Sequence, residues 1–232
     1  MDYLLLIFGA VITMLASAKV KSTFNKYAKV ASMRGITGAQ AAAKILSENG
    51  LADIEIRHVN GQLTDNYNPT NRTLNLSESV YGNTSVAAIA VAAHECGHAI
   101  QHKEGYSPMT LRSKLVPLAN IGSKLGIPIV VLSWMLGLDF QMSDGTIFSL
   151  ATVGIWLFSL AILFQVVTLP VEFDASARAL RIIESNGTLG ESEMPGARKV
   201  LTAAALTYVA AAASSVMQLL RLVLLNNRRG RR

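Results

Sequence analysis

The residues of this chain best suited to chemistry stand together, in His94-Glu95-Cys96-Gly97-His98. Histidines at i and i+4 of a helix share one face, so both imidazoles can grip a single metal ion. The glutamate beside the first histidine reaches water at that ion without being a ligand, and can take its proton. The chain has 4 histidines, His58, His94, His98 and His102, and two of them fall into this spacing. Residues 85 to 103, SVAAIAVAAHECGHAIQHK, read as an Ala-rich helix that is apolar almost all round until the histidines, hence buried. Two imidazoles and a carboxylate are costly there unless they are paired. The pattern points to a hydrolytic metal site.

Such a site needs a third protein ligand and a position left open for water. His102 is poorly placed, because eight residues after His94 a straight helix has risen about 12 Å. No glycine separates it from His98 to break the helix, so it reads as a polar partner. Glu172, in Pro170-Val171-Glu172-Phe173-Asp174-Ala175-Ser176, is the better candidate. Proline suits the first turn of a helix, so these carboxylates are expected where the preceding apolar run ends. Asp174 is the rival, although its side chain points about 200° round the helix from Glu172. It otherwise reads as a charge favouring a helix N-terminus. Cys96 lies between the histidines but off their face, and reads as a small buried residue. As the single cysteine it excludes a disulfide scaffold and a multi-cysteine zinc ribbon.

The elements that must position these groups are largely apolar. Of 232 residues, 51% are hydrophobic and 16% charged, against about a quarter charged in ordinary soluble domains. That excludes disorder and leaves too little polar surface for a protein living in water alone. Residues 3 to 18 form an uncharged run close to the ~20 residues that span a bilayer. Ala16-Ser17-Ala18 resembles a signal-peptide cleavage site, but only Asp2 precedes the apolar core, where such a peptide carries positive charge. Lys19, Lys21, Lys26 and Lys29 follow it instead, so the run reads as an uncleaved anchor with a cytoplasmic segment after it.

Further on, the run from 115 to 138 is interrupted by Lys124, while 146 to 169 carries no charge. Asp139 and Asp144 between them suit an outside loop, so the two runs are expected to form a hairpin returning at Pro170. The stretch from 200 to 225 is apolar apart from Arg221. It either packs on the catalytic part or enters the membrane. If it spanned, Arg228, Arg229, Arg231 and Arg232 would lie outside, against the charge rule.

Between the anchor and the histidine helix, Thr37-Gly38-Ala39-Gln40 resembles a capping box opening a helix that Gly50 stops. Ile54 and Ile56 flank Glu55, and Arg72 to Leu76 alternate, both in the manner of strands. Asn60-Gly61 and Asn68 to Asn71 read as turns. The net charge of +6 is gathered at the ends of the apolar runs, with eleven Lys/Arg against seven acids over residues 19 to 116. No interleaved basic and aromatic pattern accompanies it, which excludes a nucleic-acid surface.

The stretch LTDNYNPTNRTLNLSESVYGNTSVAAIAVAAHECGHAIQH, with LRSKLVPLANIGS, FQVVTLPVEFDASARAL and GARKVLTAAALTYVAAA, resembles the YugP-type neutral zinc metallopeptidases of bacterial membranes. The likeness runs over nearly the whole chain. More distantly, H-E-x-x-H, a hydrophobic hairpin and then E-x-x-A resemble the HtpX-type and prenyl-protein membrane endopeptidases. In those relatives the later glutamate is the third zinc ligand, which the resemblance carries to Glu172. They usually have aspartate four residues after it, orienting a ligand histidine, where this chain has Ser176. Zincins also bind substrate backbone along a sheet edge beside the metal helix. Residues 72 to 77 are a candidate for that edge and equally for an ordinary core strand.

The resulting expectation is a mainly α membrane protein with a small zincin-like α+β catalytic part, an N-terminal anchor helix and a central transmembrane hairpin. Its segments would be 1–18, the anchor; 19–114, the cytoplasmic part with the histidine helix; 115–169, the hairpin; and 170–232, with the glutamate ligand, an Ala-rich helix and a basic tail. One Zn²⁺ per chain would be held by His94, His98 and Glu172, with Glu95 as general base for hydrolysis of a protein or peptide substrate. The expected place is the cell membrane, multi-pass, with the active site on the cytoplasmic side. The rival is a catalytically silent metal-binding membrane scaffold or sensor. A transporter ranks below both, since the apolar runs lack the intramembrane acids that mark ion paths.

Overall fold

The uncharged N-terminal run forms α1 (Asp2–Tyr27) in a computed structural model that describes residues 2–141 and 147–229. This helix passes the expected end at residue 18, because KVKSTFNKY contains neither glycine nor proline to stop it, and Phe24 is buried. Helix α2 (Gly38–Glu48) opens on the capping box: the Thr37 hydroxyl accepts from the Gln40 N–H, and the Gln40 side chain accepts from the Thr37 N–H. Its Ala41, Ala42, Ile45 and Leu46 are buried, and Gly50 follows with φ +64°, a conformation that favours glycine.

Strands β1 (Glu55–Val59), β2 (Asn66–Asn68) and β3 (Thr73–Ser77) form one sheet in the order β1-β3-β2. Strand β1 runs parallel to β3 with Ile56 opposite Leu74, and β2 runs antiparallel with Tyr67 opposite Leu74. The Arg72–Ser77 stretch is therefore the centre of the sheet and not its edge. Thr73, Leu74, Leu76 and Ser77 are all buried, which requires a neighbour on each side. A short helix α3 (Glu78–Tyr81) leads to α4 (Val86–Lys103), where the Ser85 hydroxyl caps the Ala88 N–H. After it come α5 (Ser107–Leu136), the antiparallel strands β4 (Asp139–Gln141) and β5 (Ile147–Ser149), α6 (Leu150–Ser185) and α7 (Met194–Arg229). Asp144, Arg231 and Arg232 lie outside the described residues.

Helix α6 corrects one expectation. No helix starts at Pro170; the proline sits inside a continuous helix. A proline there costs about 3 kcal/mol, and Val171 next to it is fully buried. Asp174 therefore has no helix N-terminus to favour, and its charge is met by Arg178 one turn on.

The chain forms two compact units. One comprises Ala16–Thr110 and Pro170–Thr207. Its core joins Leu74 and Leu76 of the sheet to Ile45 of α2, Ile89 of α4, Ile183 of α6 and Leu201 of α7. The other comprises Met1–Leu15, Leu111–Leu169 and Tyr208–Arg232. In it α5 and α6 touch at glycines: a Cβ on Gly122 would lie 2.1 Å from the Leu157 carbonyl oxygen, and one on Gly154 2.6 Å from that of Gly126. Gly122 and Gly126 form a G-x-x-x-G pair, whose missing side chains let two helix backbones approach closely. The Arg221 guanidinium lies 5.6 Å from the centre of the Tyr3 ring, a cation–π contact that accounts for a charge in an apolar run. Among the described residues four helices, α1, α5, α6 and α7, are long and apolar enough to cross a membrane.

Candidate metal centre

Helix α4 supplies His94, Glu95 and His98, and α6 supplies Glu172. Their meeting depends on Gly97, whose added Cβ would lie 2.6 Å from the Ala175 carbonyl oxygen. Without a side chain at 97 the α6 backbone comes down onto α4, one turn after Glu172. Glu172 is then almost fully enclosed, with its Oε2 3.3 Å from His94 Nε2 and 3.4 Å from His98 Nε2. The two imidazoles meet edge to face, 4.7 Å between centres. One ligand atom from each of the three residues lies within 4.8 Å of the others.

The outer ring nitrogens are occupied by protein. His98 Nδ1 lies 3.0 Å from Gln101 Oε1, an acceptor only, so Nδ1 donates there and Nε2 is the nitrogen turned toward Glu172. Gln101 is wholly buried and gives its two amide protons to the Val171 carbonyl and to Asp174, each at 2.8 Å. One side chain thus orients a histidine of α4 and grips the backbone of α6 beside Glu172. His94 Nδ1 is 3.1 Å from the Ser176 hydroxyl.

Burial alone would push the Glu172 carboxyl up, yet hydrogen bonding to His94 and His98 holds it well below the usual carboxylate range. Burial would likewise push the His98 imidazole down, and Glu172 with the Glu95 charge raises it overall. The cluster favours positive charge between an ionised carboxylate and two imidazoles. A divalent cation supplies that charge. Two imidazole nitrogens and a carboxylate oxygen, each oriented from behind, fit the two-histidine, one-glutamate donor set of a zinc site with an open position.

Glu95 stands outside this ligand group. Its carboxylate accepts the Tyr67 backbone N–H at 2.9 Å, so the edge strand β2 holds it beside the cluster. His102 is apart as well, its Nδ1 within 2.9 Å of the Tyr67 hydroxyl. Asp174 is taken by Gln101 and Arg178. Cys96 is buried with its sulfur 3.8 Å from the Ala42 carbonyl, and burial pushes its thiol up, away from the thiolate that ligates metals. Sequence reasoning missed Tyr67 and Gln101. Gln101 had a readable signal, a polar residue one turn after His98 on a buried face. Tyr67 had none, since β2 is only three residues long.

Fold and site define a mainly helical protein with apolar helices and a two-histidine, one-glutamate group built on an H-E-x-x-H helix. Residues 2–227 match the family described as "Putative neutral zinc metallopeptidase", and the chain belongs to that family. A Bacillus subtilis (strain 168) protein named "Putative membrane protease YugP" is 49% identical to it over 210 residues, covering 90% of this chain and 89% of that one. No solved structure matches.

Proposed function

We propose that this chain is a membrane-bound, zinc-dependent endopeptidase whose active site faces the cytoplasm. The observation that carries the reading is the pairing of a three-residue ligand group with a second carboxylate, Glu95, held next to it but outside it. A closed structural zinc site takes four protein ligands and has no use for such a neighbour. The name of the Bacillus subtilis relative, a membrane protease, and the four long apolar helices support the membrane assignment.

His94, His98 and Glu172 would hold one zinc ion, which when bound supplies Lewis acidity toward a carbonyl and lowers the pKa of water. Glu95 takes a proton from the attacking water and returns it to the leaving amine. The Tyr67 N–H keeps that carboxylate aimed, and Gln101 and Ser176 keep the imidazoles turned inward. The 19–114 segment and the start of 170–232 form the catalytic part, with 1–18 as anchor and 115–169 as hairpin. The substrate is a protein or peptide, and the bilayer is the chain's permanent surrounding. Lys19, Lys21, Lys26 and Lys29 after the anchor favour the cytoplasmic side.

The test compares detergent-solubilised wild type with Glu95→Gln for zinc content and for cleavage of unfolded protein substrates. Glutamine is close in size and cannot accept the proton. The variant should retain its zinc and lose about 10²–10⁴-fold in rate. Equal cleavage by a zinc-loaded variant would overturn the peptidase reading in favour of a silent metal-binding scaffold.

A further inference from the structure

Within the unit that holds the metal centre, α1 and α7 line a groove of about 620 Å³ separate from that centre. Lys19 and Lys26 of α1 and Arg198 and Lys199 of α7 line it, together with Thr23 and Thr202. No carboxylate lines the groove, and none of its four cations forms an ion pair among the described residues. Four other cations of this unit are matched: Lys44 by Glu48, Arg57 by Glu55, Arg72 by Asp53, and Arg178 by Asp174 and Glu104. Four like charges sharing one concavity repel one another until an anion joins them. Ammonium, guanidinium and hydroxyl donors together suit phosphate oxygens.

The sequence around the groove narrows the source of that phosphate. Lys19 follows directly on the apolar run 3–18, and Leu206, also in the lining, directly precedes the apolar remainder of α7. An occupant carrying apolar chains next to its phosphate matches both helices. Basic pockets of this kind at the ends of membrane helices take anionic headgroups. We propose that the α1–α7 groove binds the phosphate of an anionic phospholipid of the phosphatidylglycerol type. The proposal rests on the membrane part of the reading above and is independent of the chemistry at the metal.

Native mass spectrometry of the full chain in detergent, titrated with phosphatidylglycerol, tests it. Phosphatidylcholine provides the net-neutral headgroup, and inorganic phosphate and glycerophosphoglycerol provide soluble arms. Saturable retention of phosphatidylglycerol over phosphatidylcholine is expected. With about fivefold in affinity per cation near an anionic lipid, Lys19→Gln/Arg198→Gln should weaken retention about 25-fold. The pair Lys21→Gln/Lys29→Gln removes the same charge from exposed positions of the same region outside the groove, and should cost less than about threefold. Equal loss in the two pairs, or equal retention of the two lipids, would overturn the site. Displacement of the lipid by inorganic phosphate at matched concentration would overturn the lipid as its source and leave a soluble phosphate. Zinc content and the Glu95→Gln contrast are read on the same samples, so failure of lipid binding is distinguishable from failure of the peptidase reading.

Discussion

The Ser176 hydroxyl lies 3.1 Å from His94 Nδ1, one turn of α6 beyond the glutamate that faces the same imidazole through Nε2. A hydroxyl orients the ring as a carboxylate would, but lends it no negative charge. Ser176→Ala removes the orientation and leaves a small void. It should lower zinc affinity about tenfold, the low end for loss of such a partner, measured by competition with a chelating dye. An unchanged affinity would mean that packing alone holds the ring.

Much of this site was legible because its chemistry is local. His94, Glu95 and His98 are spaced by one helix, and the capping box at Thr37 and the alternation around Leu74 are equally short-range. Glu172 needed knowledge that the chain returns, which the uncharged 146–169 run supplied. What could not be read depends on contacts between distant segments. The H-bond from the Tyr67 N–H to Glu95 spans 28 positions and that from Gln101 to Val171 spans 70. Pro170 misled for a different reason: local propensity favours a helix start, and packing along a 36-residue helix overrode it.

At Gly97, α4 meets the α6 backbone beside the ligands. Alanine is the better helix former by about 1 kcal/mol, so Gly97→Ala would stabilise the chain if there were room. A Cβ 2.6 Å from the Ala175 carbonyl leaves none, and overpacking costs about 1–3 kcal/mol. A net loss of thermal stability is expected, larger with zinc present because Glu172 is pushed from the histidines. Gly82→Ala, where a Cβ meets nothing within 4 Å, is the control. If the two variants melt alike, the close approach does not matter.

Topology follows from charge placement. Cysteine introduced at exposed Asn60 in a Cys96→Ser background should resist an impermeant reagent applied to intact cells, and Met142→Cys should react. Both should react after permeabilisation. Labelling of position 60 alone from outside would mean that the lysines after the anchor do not set orientation, and that the site faces outward.

The ligand set makes the sharpest demand on the geometry. Wild type should carry about one zinc per chain, as expected of a single three-ligand site. His94→Ala, His98→Ala and Glu172→Ala should each lose most of it, since two ligands hold the ion far more weakly than three. His102→Ala should keep it, because that imidazole is engaged by the Tyr67 hydroxyl and stands outside the group. It should instead soften the hold of β2 on Glu95 and show a rate effect with the metal intact. Zinc is counted by mass spectrometry after gel filtration, with circular dichroism to confirm that each variant is folded. Asp174 is the one acid near enough in sequence to substitute for Glu172, and it is held by Gln101 and Arg178. Zinc retained in Glu172→Ala but lost in Glu172→Ala/Asp174→Asn would move the third ligand to Asp174 and require those two bonds to break.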